Sequence, residues 1–113
     1  MLEQRKFVRY PTEGKAILKS KQDLSRSISG DLVDISILGI GVYALEKFEP
    51  GLEVNFIVMG KFSEKPILGG GRIKYSLALK KEEKTFYRMG VEFTTVDREI
   101  IQKIIVARFI PIG

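Results

Sequence analysis

Short apolar segments separated by turn residues run along most of the chain, and their spacing limits the folds that it can adopt. The segments are rich in β-branched and aromatic residues and are bounded by glycine, proline or charged residues. Short strands with turn signals between them are typical of β-barrels and β-sandwiches, and closing the sheet would remove its exposed edges. We therefore predict a mostly β fold of six or seven short strands. The clearest segments are residues 15–20, 28–35, 39–45, 52–59, 67–75 and 86–93.

The spacing of the apolar residues changes near the end of the sequence. Asp97 is a favourable helix N-cap, and the apolar residues after it recur at helical spacing on one side. Pro111 would end such a helix. We therefore predict an amphipathic helix at about residues 97–110 that packs against the sheet rather than lying on a membrane surface. Its apolar stripe consists of Ile100, Ile101, Ile104, Ile105 and Phe109.

The start of the sequence is polar and basic. Pro11 and Gly14 favour a loop or an arm before the first strand. We therefore predict an N-terminal arm over residues 1–13 and a barrel with its helix over residues 14–113. Within the barrel, the three glycines at 69–71 predict a bulge or a bend in one strand. The highly charged residues 79–85 predict the loop of a hairpin.

Composition narrows the classes of function. The chain of 113 residues contains no cysteine and no histidine, which removes thiolate metal sites and the commonest general base. We therefore predict a protein that is not an enzyme and has no catalytic residues, bound metal or cofactor. The net charge of +5 suits an anionic partner. No apolar stretch approaches the roughly twenty residues of a membrane span, and no signal-peptide pattern begins the sequence, so we expect a cytoplasmic protein without membrane insertion.

Two arginines and a small polar turn provide complementary chemistry for binding. Arg5 and Arg9 follow the pattern R-x-x-x-R, and Asp34, Ser36 and Gly39 follow D-x-S-x-x-G. Guanidinium groups bind phosphates or guanine edges in a bidentate manner and stack on rings. A carboxylate accepts hydrogen bonds from a base edge, and glycine allows close approach of the backbone. Taken separately, the two patterns could equally be a solvated arm and an ordinary polar turn.

In this order and spacing, the two motifs resemble those of the bacterial PilZ domain family. The segments Gly71-Arg72-Ile73-Lys74-Tyr75 and Tyr87-Arg88-Met89-Gly90-Val91-Glu92-Phe93 also resemble later strands of that family, so the resemblance covers nearly the whole chain. It implies a six-stranded antiparallel β-barrel with a C-terminal α-helix. It also implies binding of cyclic di-GMP, a bacterial second messenger.

The resemblance further implies a role for each motif residue. Arg5 and Arg9 would clamp the nucleotide through its phosphates and guanine rings. Asp34 would accept hydrogen bonds from guanine N1 and N2, and Ser36 would contact a polar edge or a phosphate. Gly39 would leave space for the base, and the arm would close over the bound ligand as a switch.

We therefore expect a receptor that relays cyclic di-GMP binding to an unidentified bacterial effector protein controlling motility, exopolysaccharide or biofilm formation. Two alternatives remain open: a PilZ-like adaptor that binds protein without the ligand, and a basic barrel that binds single-stranded nucleic acid. Of the two, the sequence favours nucleic-acid binding less. Gln4, which precedes the first arginine, leaves the number of bound nucleotides open, and a homodimer is possible. The segment at 39–44 also matches a dinucleotide-binding fingerprint, but no helix follows it, and we expect Gly41 to be a strand residue outside the site.

Overall fold

A computed structural model describes residues 8–109, and within them the chain forms six antiparallel strands and one helix. The strands close into a barrel in the order β1-β2-β3-β6-β5-β4, because β1 pairs with both β2 and β4. The prediction of a six-stranded antiparallel barrel with a C-terminal helix is confirmed. The elements are β1 Tyr10–Ser20, β2 Ser27–Ile35, β3 Gly39–Ala44, β4 Glu53–Gly60, β5 Ser63–Lys81, β6 Lys84–Thr95 and α1 Arg98–Phe109.

The barrel interior is filled by alternate apolar residues of its strands. Alternation in β4 and β6 places every second side chain inside, as the sequence predicts. The rings of Phe56 and Phe93 meet in this core with centroids 5.4 Å apart, which adds an aromatic contact to the apolar burial. The buried residues of these two strands are Val54, Phe56, Val58, Met89, Val91 and Phe93.

The helix packs one apolar face against this core. Asp97 caps it, since its Oδ1 accepts hydrogen bonds from the backbone N–H groups of Glu99 at 3.1 Å and Ile100 at 3.4 Å. The predicted stripe is correct in its centre but wrong for Ile100, which is 43% exposed. At about 100° per residue, Ile100 falls at the edge of the buried face. The residues at the centre of that face are Ile101, Ile104 and Ile105.

The strands run further than the sequence predicts at two places. β1 begins at Tyr10, so the predicted arm is wrong over residues 10–13; Pro11 pairs with Asp34, and a register shift between Pro11 and Gly14 accommodates the irregular residues. The predicted arm before residue 8 lies outside the described residues. The loop predicted at 79–85 shrinks to the turn Glu82–Glu83, whose φ angles of 52° and 70° suit a tight hairpin.

Candidate functional site

Asp34, near the end of β2, lies between two arginines on the outer face of the barrel. Its Oδ1 accepts a hydrogen bond from Arg9 Nη1 at 2.9 Å, and its Oδ2 accepts one from Arg88 Nη2. Arg9 lies just before β1 and Arg88 lies in β6. The side chain of Asp34 is only 12% exposed, so both ion pairs are partly shielded from water. The fold thus concentrates one carboxylate and two guanidinium groups at a single point.

A β-bulge directs Asp34 outward. Leu32 points into the core, and strict alternation would turn Asp34 inward as well. In the pairing of β2 with β3, however, Leu32 faces Val42 and Asp34 faces Gly41, so Val33 is an extra residue. Such an extra residue changes the side to which the following side chains point. The bulge at Val33 therefore places a carboxylate on the outer surface of the barrel.

Gly41 provides the space in which these charged groups meet. It pairs with Asp34 on one side and with Gly90 on the other. A Cβ atom at Gly41 would lie 2.6 Å from Asp34 Oδ1 and 2.8 Å from Arg88 Nη2. Gly41 is a strand residue, as expected, but it also adjoins this ion pair, because only a residue without a side chain leaves room for it.

Arg88 is the site residue that sequence reasoning missed. Its guanidinium carbon lies 5.5 Å from the centroid of the Tyr43 ring, a cation–π contact. Burial alone would lower the pKa of Arg88, but the carboxylate of Asp34, with smaller contributions from Tyr75 and Tyr43, raises it above its ordinary value. Arg88 Nε is buried and has no hydrogen-bond acceptor within residues 8–109, which leaves one unused donor beside Asp34.

A signal for Arg88 was present in the sequence. The clean alternation of residues 87–93 places Met89 and Val91 inside the barrel, and hence Arg88 and Gly90 outside. What the sequence could not provide was the register, which places Gly90 opposite Gly41 and Arg88 opposite Tyr43.

Ser36 and Gly39 shape the turn that follows Asp34. Ser36 Oγ accepts hydrogen bonds from the backbone N–H groups of Leu38 at 3.1 Å and Gly39 at 3.2 Å. Ser36 and Gly39 are both buried. A Cβ atom at Gly39 would collide with the backbone carbonyl oxygen of Val91 in β6. Both residues therefore fix the end of β2 against its neighbours, which holds Asp34 in place.

The structure brings together part of the predicted site. Arg9 and Asp34 are in direct contact, Ser36 and Gly39 lie in the adjoining turn, and Arg5 lies outside the described residues. The ligand-binding roles assigned to these five residues stay predictions. Within residues 8–109, no group of three or more Asp or Glu side chains is arranged to hold a metal ion, and no helix has the length and apolar character needed to span a membrane.

Three solved structures with folds similar to this one are of proteins from two bacteria. The PilZ domain of YcgR from Escherichia coli, solved with c-di-GMP, aligns with a TM-score of 0.71 and 16% identity over 93% of this chain and 91% of that one. YcgR in complex with c-di-GMP aligns at 0.74 and 17%, over 94% of this chain and 46% of that one. The Bacillus subtilis inhibitor of motility, MotI/DgrA, aligns at 0.72 and 19%, over 91% and 48%.

The chain spans about half the length of the two longer proteins, and identities this low establish the fold alone. No curated protein sequence matches the chain significantly. The family model of the PilZ domain matches residues 3–109, nearly the whole chain. The chain therefore belongs to the PilZ domain family.

Proposed function

We propose that this protein is a receptor for cyclic di-GMP and binds the nucleotide on the outer barrel face around Asp34. The observation that carries the proposal is the pairing of one carboxylate with Arg9 and Arg88 over Gly41. Family membership supports it, as does the presence of c-di-GMP in the two similar YcgR structures.

The ion pairs suggest how binding would proceed. In the structure, both oxygens of Asp34 accept hydrogen bonds from arginines. A guanine edge offers N–H donors that would replace these arginines at the carboxylate. The released guanidinium groups of Arg9 and Arg88 would then bind phosphate oxygens or the O6 and N7 acceptors of guanine. The two phosphates of the ligand would compensate the positive charge that Asp34 no longer neutralises.

Aromatic side chains flank the same surface. Tyr43 lies against Arg88, and the ring of Tyr75 lies so close to Gly90 that a Cβ atom there would collide with it. Gly41 and Gly90 are paired neighbours in β3 and β6, and the Asp34–Arg88 pair and the Tyr75 ring lie directly over them. A guanine ring would stack on these arginine and tyrosine side chains.

The expected affinity follows from these contacts. Hydrogen bonds to charged groups contribute roughly 1.5–3 kcal/mol each, and ordering the arm costs part of that. A few such bonds with stacking give about −8 kcal/mol, which is micromolar binding.

We also propose that binding is relayed to an effector protein in the cytoplasm that controls motility, exopolysaccharide or biofilm formation. The predicted arm, with Arg9 at its inner end and Arg5 further out, is the segment that would move. We propose no reaction for this protein.

Titration calorimetry of the whole chain with cyclic di-GMP tests the proposal. We expect a micromolar dissociation constant, and Arg9→Ala and Arg88→Gln should each lose at least roughly 2 kcal/mol of binding free energy. Lys15→Ala is the matched control, because it removes a positive charge from an exposed pair with Asp31 on the same two strands.

Absence of heat at tens of micromolar nucleotide would refute the receptor function and favour an adaptor that binds protein alone. Binding of single-stranded oligonucleotides with a steep dependence on salt, without binding of cyclic di-GMP, would favour the nucleic-acid alternative. Equal losses in the Lys15→Ala control and the arginine variants would place the site elsewhere.

A further inference from the structure

The outer face of the β5–β6 hairpin carries an exposed apolar patch beside the candidate site. The hairpin comprises residues 75–81 of β5 and 84–88 of β6. Leu77 lies opposite Arg88 and Leu79 opposite Phe86, so these side chains share one face of the ribbon. Leu77 is 55% exposed and Leu79 is 41% exposed. We call Leu77, Leu79 and Phe86 the hairpin patch.

The same hairpin has an open backbone edge. β4 pairs with β5 only as far as Arg72. The last backbone hydrogen bonds on this side join Ile73 to Gly51 and Leu52. Beyond that point, within residues 8–109, no strand pairs with the outer edge of β5. An unpaired edge next to alternating apolar side chains is the arrangement to which an extended peptide adds as a further strand.

Positive charge surrounds this edge. Four lysines lie on the hairpin or at its base, and none has an ion-pair partner among residues 8–109. Glu82 and Glu83 form only the turn at the tip. A partner strand would therefore be selected for acidic residues. The lysines are Lys74, Lys80, Lys81 and Lys84.

We propose that the open edge of β5 binds an extended acidic segment of a partner protein, which adds as a strand. Its alternate apolar side chains would pack on the hairpin patch, and its carboxylates would pair with the lysines. A second copy of this chain fits less well, because pairing two β5 edges would bring Lys80 and Lys81 of both copies into one interface.

The hairpin patch adjoins the candidate ligand site through one residue. Leu77, Arg88 and Tyr43 form one cross-strand row over β5, β6 and β3. A rearrangement of Arg88 on nucleotide binding would thus occur beside the edge that the partner occupies. The docking surface itself does not depend on the nucleotide, so it can be tested separately from the proposed function.

The test uses the whole ¹⁵N-labelled chain without nucleotide and a short synthetic peptide of alternating glutamate and valine. We expect chemical-shift changes and slower amide hydrogen exchange concentrated in residues 75–81. Leu79→Ser should weaken binding at least fivefold. Leu68→Ser is the matched control, since Leu68 is also an exposed leucine of β5 (65% exposed) but lies outside the hairpin, in the part of β5 that pairs with β4, and it should bind like the unmodified chain.

Several outcomes would overturn the proposal. These are no binding of the acidic peptide, equal binding of a lysine–valine peptide, equal losses in the Leu68→Ser and Leu79→Ser variants, or shift changes outside the hairpin. A dimer in sedimentation that Leu79→Ser converts to a monomer would identify a second copy as the occupant instead. An oligonucleotide that shifts the same amides, when the peptide does not, would assign the edge to nucleic acid.

Discussion

Replacing Gly41 with alanine tests the geometry of the candidate site more directly than removing a charge. The added methyl group would lie 2.6 Å from Asp34 Oδ1, whereas ordinary contacts begin near 3.4 Å, so the carboxylate must retreat by about 0.8 Å. The hydrogen bond from Arg9 to that oxygen is 2.9 Å long. All three charged groups remain in the variant, but Asp34 no longer presents its oxygens in the same direction.

The expected magnitudes separate binding from stability. A misdirected carboxylate loses about one charge-assisted hydrogen bond to the ligand, roughly 1.5–3 kcal/mol, which is a ten- to hundredfold weaker affinity at about 1.4 kcal/mol per tenfold. Gly51 is the glycine with positive φ among residues 8–109, so the backbone at Gly41 accepts alanine. Alanine restricts the unfolded chain more than glycine does, which adds about 0.4–1 kcal/mol to the free energy of unfolding. This gain offsets the loss from a weakened, partly exposed ion pair. Tm should therefore change by less than about 4 °C.

The assay combines titration of cyclic di-GMP with thermal unfolding followed by circular dichroism. Gly39→Ala is the matched comparison, because its methyl group would collide with the backbone carbonyl oxygen of Val91 in a paired strand. A backbone atom in a sheet cannot move away as the end of a side chain can. We expect Gly39→Ala to lower Tm by more than about 8 °C, the equivalent of about 2 kcal/mol.

Two results would refute this reasoning. If Gly41→Ala bound cyclic di-GMP within twofold of the unmodified chain, the position of the Asp34 carboxylate would not matter for recognition. If Gly41→Ala lost as much Tm as Gly39→Ala, Gly41 would support the sheet rather than the site.

Two further predictions concern stability and are checked by the same thermal unfolding. Ser36→Ala removes the hydroxyl that accepts two backbone hydrogen bonds in a buried turn, so we expect a loss of about 1–3 kcal/mol, whereas Ser63→Ala removes an exposed hydroxyl and should change little. Asp97→Ala removes the N-cap of α1 and should lose about 1 kcal/mol, whereas Asp97→Asn should retain most of it. Equal stability of Ser36→Ala and Ser63→Ala, or of the two Asp97 variants, would contradict these assignments.

The fold could be predicted because its signals are local. Alternation in β4 and β6 and the cap at Asp97 are each contained within a few residues. The bulge predicted at glycines 69–71 is displaced: opposite Gly70 and Gly71 the extra residue is Thr94 of β6, and β5 has its own extra residue at Lys74. Strand ends were less accurate, since Pro11 and the charged hairpin tip look like loops until a partner strand provides their hydrogen bonds.

The site was only half predictable, for a physical reason. Arg9 and Asp34 belong to short motifs that can be read directly from the sequence. Arg88 and Gly41 join them only through the register of β3 against β6, and the direction of Asp34 depends on the bulge at Val33. Register and bulges are decided by packing between segments that lie far apart in sequence.

The paired irregularities of β1 and β2 have a consequence for how such chains tolerate insertions. Arg9 and Asp34 meet at one end of the β1–β2 pair, and the connection from Lys21 to Arg26 lies at the other end. Residues gained or lost in that connection change the number of residues between the two motifs without moving either of them. A single residue gained or lost between Arg9 and Gly14 would instead reverse the side of β1 from which the arginine approaches Asp34. The site therefore depends on whether the number of residues between Arg9 and Gly14 keeps the arginine on the same side as Asp34. It does not depend on the total number of residues between the two motifs.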